Sequence, residues 1–463
     1  MTETRCVRYL LSFLFLVSSG PALAEQTPTH EYRLDNGLKI IVKEDHRSPI
    51  VVSQVWYKVG SSYEPDGITG ISHALEHMMF KGTKKHGPGE FSRIISEQGG
   101  RENAFTGRDY TAYFQELERS RLPISFELES DRVRNLALLK DEFAKEIQVV
   151  IEERRLRTDD NPQALTGEFL TAAAFMSSPY HHPVIGWRDD LDHMTVEDVR
   201  RWYQTWYAPN NATLVVVGDV DPNAVHQLAR KYFGGLKTSV IPDLKPRDEA
   251  PQLGERRITV KTPARVPYLA MSYKAPVLHT VQAQAEWEPF ALEVLAGILD
   301  GGEGARLQKY LVRDQRVAAS ASAEYNVYSR YEDLLSLDGT PAQGHTVAEL
   351  ETAMRQQVQK LREEPVSADE LERVKAQVVA NDVYQRDSVF YQAMLIGMLE
   401  TVGLDWRWSE RYVERIRAIT AEQVREVARK YLTDEHLTIA VLEPLPIGPE
   451  TPQAEEPAAR DIR

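Results

Sequence analysis

The sequence predicts an α+β protein built from two related halves. Three observations carry this: a helix-then-strand pattern that occurs twice, a proline-punctuated stretch between the two occurrences, and hairpin turns in place of strict strand–helix alternation. Residues 194–217, MTVEDVRRWYQTWYAPNNATLVVV, align with residues 419–442, ITAEQVREVARKYLTDEHLTIAVL, at an offset of 225. Thr195 then falls on Thr420, Glu197 on Glu422, Val199 on Val424, Arg200 on Arg425 and Thr213 on Thr438. Each segment opens with a threonine followed three residues later by Asp198 or Gln423, which resembles a capping box. Each continues as an amphipathic helix, a short turn and a β-rich apolar strand. That shared order marks an internal duplication of about 200 residues per half.

From the N-terminus, residues 1–24 read as a secretory signal peptide: Arg5 and Arg8, an apolar stretch from Tyr9 to Val17, then the cleavage site Ala22-Leu23-Ala24. The apolar stretch is too short to span a bilayer comfortably, so no stable membrane insertion is expected, and a Gram-negative cell would hold the mature chain in its periplasm. Cys6, the single cysteine, lies in this segment, so a metal in the mature chain must use His, Asp or Glu. The first half is expected over 25–235. Asn36-Gly37 between two β-rich runs predicts a hairpin. A strand follows over Val51–Val59, then a helix over 67–80 and long helical patterns over 125–156. Trp202 and Trp206, four apart, read as packing anchors of one helix face, and Met78, Met79 and Phe80 as core. Residues 236–255, with three prolines and mixed charge, read as an extended linker. The second half is expected over 256–447. From Glu443 the composition turns to Pro, Glu and Ala, and 448–463 read as a disordered tail.

Composition narrows the function. Hydrophobic residues make up 42% and charged residues 27%, which excludes disordered and collagen-like classes for the bulk of the chain. A net charge of −14 without a basic run repels phosphate backbones, so nucleic acid is not an expected partner. The chemistry concentrates at ISHALEHMMF, residues 71–80. His73 and His77 are four apart and share a helix face, a spacing at which two imidazoles grip one Zn²⁺. Glu76, at the edge of that face, can act as general base toward a metal-activated water. A third ligand is needed, and the run 145–157, KEIQVVIEERRLR, offers Glu146, Glu152 and Glu153. Glu146 and Glu153 are two helical turns apart and point the same way, whereas Glu152 is turned by about 100°.

HALEHMMFKGT (73–83), NAFTGRDYTAYF (103–114), EIQVVIEERRLR (146–157), SPYHHPVIGW (178–187) and WYAPNNATLVVVGDV (206–220) together resemble the pitrilysin/insulysin family, which includes the mitochondrial processing peptidase. The resemblance implies two homologous α/β-sandwich halves that close as a clamshell around a chamber, and hydrolysis of peptides or unfolded segments. It implies zinc on His73, His77 and Glu153, with Glu76 as general base, Glu146 as an auxiliary carboxylate that orients a histidine, and Glu152 as the fallback ligand. His₂Glu sites also accept other metals, iron and manganese among them. Asn103, Ala104, Phe105 and Thr106 match the edge strand to which substrate adds, with Asn103 the side chain best placed to contact it. His181 and His182, before Pro183, read as structural.

One departure stands out. Self-sufficient members carry an Arg and, seven residues later, a Tyr in the second half; here Arg313 is followed by Ser320, and Tyr325 lies five residues too far along. The second half also has no His-x-x-Glu-His. The expectation is a metal-bearing chain that pairs with a homologous, metal-less subunit supplying the Tyr, or else with a second copy of itself. The alternative is a non-catalytic scaffold or chaperone-like subunit. The intact set His73, Glu76, His77, Glu146 and Glu153 argues against that.

Overall fold

The strands fall into two sheets with one topology. A computed structural model describes residues 28–245 and 247–447; the expected signal peptide and the tail 448–463 lie outside the described residues. The first sheet holds β1 (Thr29–Arg33), β2 (Lys39–Glu44), β3 (Ile50–Tyr57), β4 (Arg101–Thr106), β5 (Thr111–Glu118) and β6 (Ala212–Gly218), in the order β1-β2-β6-β3-β5-β4. The second holds β7 (Arg256–Pro263), β8 (Tyr268–Ala275), β9 (Ala318–Glu324), β10 (Asp333–Pro341) and β11 (Leu437–Leu445), in the order β7-β11-β8-β10-β9. In each, one pair is parallel, β2 with β6 and β7 with β11, and every other pair is antiparallel. The duplication read from the sequence is therefore a duplication of strand order, with β1 added by the Asn36-Gly37 hairpin.

Helices follow in matching order. The first half carries α1 (Ile71–Met78), α2 (Glu90–Glu97), α3 (Leu122–Asn135), α4 (Lys140–Arg154), α5 (Pro162–Ala174), α6 (Arg188–His193), α7 (Val196–Trp206) and α8 (Pro222–Phe233). The second carries α9 (Trp287–Asp300), α10 (Val347–Glu363), α11 (Ala368–Gln385), α12 (Val389–Thr401), α13 (Trp408–Ala418) and α14 (Ala421–Tyr431). Thr195 with Asp198 and Thr420 with Gln423 form reciprocal capping boxes at the starts of α7 and α14. Trp202, Trp206, Met78 and Met79 are buried in the first core, and Phe80 packs against it. The turn to Pro, Glu and Ala composition from Glu443 does not end the second sheet. Glu443–Leu445 belong to β11 and pair with Lys261–Pro263 of β7, because a strand partner overrides local composition.

Each sheet buries its second face under a helix from the other half. α12 lies across β3 and β6, where Ala393 and Ile396 join Ile41, Val52, Trp56, Val215 and Val217 in one apolar cluster. In return α5 lies across β7, β8 and β11, with Leu170 and Ala174 against Ala270, Leu334 and Ala440. The approach of α12 is close enough to require glycine: a Cβ at Gly397 would stand 2.1 Å from the ring of Trp56, which is fully buried. Gly397→Ala is expected to destabilise the chain by about 1–3 kcal/mol, read as a lower urea midpoint followed by tryptophan fluorescence. An unchanged midpoint would show that α12 can lift without cost.

Among its described residues the linker has no helix or strand, yet it is pinned. The Glu249 carboxylate accepts N–H bonds from Met176 (3.0 Å), Ser177 (2.9 Å) and Ser178 (2.9 Å), and pairs with Lys274 Nζ at 2.7 Å. Burial pushes this carboxyl up, but Lys274 and the three N–H groups outweigh it and bring it down to about 2.

Candidate metal centre

The chain enters α1 through Gly70, whose φ of 83° places it in the left-handed region. A Cβ there would stand 2.4 Å from the Ile185 carbonyl oxygen, so glycine is needed for the approach as well. The first turn of α1 has no side-chain cap of its own. Buried Glu64 serves instead, accepting from the N–H groups of Gly70 (2.6 Å) and Ser72 (2.8 Å). Burial pushes the Glu64 carboxyl up to about 7, against the bonds from Ser72 and Gly70.

With α1 set this way, His73 and His77 face α4. His77 Nε2 lies 3.3 Å and His73 Nε2 3.7 Å from the same oxygen of Glu153. One ligand atom from each of the three falls within 4.8 Å of the others. A tetrahedral ion with bonds of 2.0–2.1 Å needs ligand atoms roughly 3.4 Å apart, so the set fits zinc by spacing and by donor type. Glu146, two turns earlier on α4, receives the other His77 nitrogen, Nδ1, at 3.3 Å and Lys81 Nζ at 2.7 Å. Arg157 holds the second Glu153 oxygen at 2.8 Å. Glu152 turns to solvent and pairs with Arg155, so it does not join the set.

Electrostatics acts on the two histidines in opposite directions. Burial, helped by neighbouring His77, pulls His73 down to about 4 and holds it neutral. For His77 burial acts in the same direction, but the hydrogen bond to Glu153 and the carboxylates around it win, and the ring is held above its ordinary value. Glu153 is held below the usual carboxylate range, chiefly by that same His77 bond. Glu76 is pushed up by burial, partly offset by Thr106, whose hydroxyl donates to it at 2.5 Å.

The cavity over this cluster measures about 710 Å³. Its wall includes β4, the outermost strand of the first sheet, so Asn103, Ala104 and Phe105 border the site along an unpaired edge. The Asn103 side-chain oxygen accepts from the Ala104 N–H at 2.9 Å. The Phe105 ring turns to the opposite face and packs edge-on against Trp56 at 5.3 Å. Arg313 does not reach the cavity wall. It sits in the π-helical segment Leu307–Asp314, exposed, 3.6 Å from Glu303. Ser320 is exposed on β9, and the Tyr325 hydroxyl is tied to the Pro276 carbonyl. The sequence reading put Thr106 on the edge strand without its contact to Glu76, and did not single out Lys81 or Arg157. Period-2 alternation from Ala104 would have singled out Thr106, and four-residue helical steps from His77 and Glu153 the other two.

Comparison with known proteins places this geometry. The pattern defining the insulinase family (peptidase family M16) matches residues 39–187, and that of the peptidase M16 inactive domain matches 193–378. The zinc protease PqqE of Helicobacter pylori is 31% identical over 444 residues, covering 94% of this chain and 98% of that one. The uncharacterised zinc protease YmxG of Bacillus subtilis is 24% identical over 416 residues, covering 89% and 98%. A solved protease structure from Helicobacter pylori superimposes with a TM-score of 0.85 at 29% identity, over 90% of this chain and all of that one. Matched along nearly its whole length in sequence and fold, the chain belongs to the insulinase/pitrilysin-type M16 peptidase family.

Proposed function

We propose that the chain is a zinc-dependent endopeptidase acting on peptides or unfolded segments outside the cytoplasm. The observation that carries this reading is the meeting of His73, His77 and Glu153 beside Glu76, in a cavity bordered by a free strand edge. His73, His77 and Glu153 would hold the zinc, which when bound acts as a Lewis acid toward water and the scissile carbonyl. Glu76 takes the proton of the attacking water and returns it to the leaving amine. Thr106 fixes the Glu76 carboxylate, and Glu146 orients the His77 ring through Nδ1. The backbone of β4 binds the peptide as an added strand.

The test is cleavage of a quenched fluorescent peptide mixture by the zinc-loaded chain, with and without chelator. Cleavage that chelator abolishes and zinc restores supports the reading; zinc bound without cleavage, even with a partner chain added, sinks it. Ser320 and the locked Tyr325 support a heterodimer with a homologous, metal-less subunit that supplies the missing Tyr, a second copy being the other option. Full activity of the chain alone would remove that part. Glu146→Gln is expected to weaken zinc binding 10–100-fold by chelator competition. Unaltered affinity would leave Glu146 no part in holding the site.

A further inference from the structure

A second cluster of side chains able to ligate a metal borders the same cavity through its two histidines. His181 and His182, on the turn that ends at Pro183, face Asp66 in the loop that leads to α1. Asp66 Oδ1 lies 2.8 Å from His182 Nε2 and 4.0 Å from His181 Nε2. One ligand atom from each of the three falls within 4.8 Å of the others, as is also true of His73, His77 and Glu153. The His181 ring is already set for ligation. Its Nδ1 donates to the Ser178 carbonyl at 2.7 Å, which leaves Nε2 with a free lone pair pointed at the group. His182 is 3% exposed; its Nε2 donates to Asp66 at 2.8 Å and would release that proton on binding the ion, while its Nδ1 is buried with no hydrogen-bond partner. Asp66 is exposed and supplies the open side through which an ion would enter.

We propose that Asp66, His181 and His182 form a second site for a divalent transition metal of the zinc, nickel or copper class, in the wall of the substrate cavity. Two imidazoles and one carboxylate suit these ions and not magnesium or calcium, which prefer oxygen. Both histidines border the cavity, so an ion here narrows the space a peptide enters. The site stands on its own ligands and does not depend on the peptidase reading.

The experiment is zinc stoichiometry of the full chain by calorimetry and equilibrium dialysis, with zinc alone as the probe. The intact chain is expected to bind two equivalents, and Asp66→Asn one. Glu153→Gln should also bind one, and the double variant none. His181→Gln serves as a second variant that leaves the buried His182 in place, and it too should lose one equivalent. A single equivalent in the intact chain, lost in Glu153→Gln, would overturn the second site while leaving the first intact. Two equivalents retained in both Asp66→Asn and His181→Gln would overturn it as well.

Discussion

Glu76→Gln is expected to lower kcat for peptide hydrolysis by roughly 10²–10⁴-fold while the zinc content stays that of the unaltered chain. The substitution separates chemistry from binding because Glu76 lies outside the ligand set: the atoms that converge belong to His73, His77 and Glu153. Glutamine can still accept the Thr106 hydroxyl, so the side chain keeps its place. What it loses is proton affinity. Burial raises that affinity in Glu76, which favours taking a proton from water beside a metal. Measuring kcat and zinc on the same preparation decides the matter. Residual activity within tenfold of the original would remove Glu76 from the role of base, and loss of zinc would move it among the ligands.

The second large effect is on stability. Arg132 of α3 is fully buried, and its guanidinium meets both oxygens of Glu129, at 2.5 and 2.8 Å. The cation also lies over the rings of Phe91 at 4.2 Å and Tyr113 at 4.5 Å, with Phe80 at 5.3 Å. Arg132→Leu would strand the Glu129 carboxylate among these rings with Gln115 as its remaining donor, so a loss of about 3–5 kcal/mol is expected in urea unfolding. Removing both partners as Glu129→Leu/Arg132→Leu should recover most of that loss, since the penalty comes from the abandoned charge. A double variant as unstable as the single one would assign the effect to the lost ring contacts instead. Because Phe80 lies two residues beyond the end of α1, the single variant should also loosen the helix that carries His73 and His77.

What the sequence made legible is what short-range physics decides. Capping boxes lie within four residues, the His73–His77 spacing within one helical turn, and the Glu146–Glu153 step within two, so each could be read before any fold was known. The strand over Val51–Val59 and the helix over 67–80 were legible as elements, but not at their ends: β3 stops at Tyr57, and left-handed Gly70 holds α1 back to Ile71. Contacts set by tertiary packing left no such trace. Nothing local ties Glu64 to the start of α1, or Glu249 to the N–H groups at 176–178. Arg313 looked like a site residue through the family resemblance alone, and it does not line the cavity. α12, VFYQAMLIGMLET, is apolar on nearly every side, which tells of burial on every side but not of which sheet lies beneath it.

The exchange of α5 and α12 sets what the linker is for. Were the backbone cut within 236–255, neither fragment could shield both faces of its own sheet, since Trp56 would lie bare in one and Ala440 in the other. The two pieces would then depend on each other by mass action, each refolding only as fast as it met its counterpart. Joined, the same encounter is intramolecular, and a short tether raises the effective concentration to the millimolar range. The linker thus works as a concentration device, converting what would be an obligate two-chain assembly into a fold whose stability does not change on dilution.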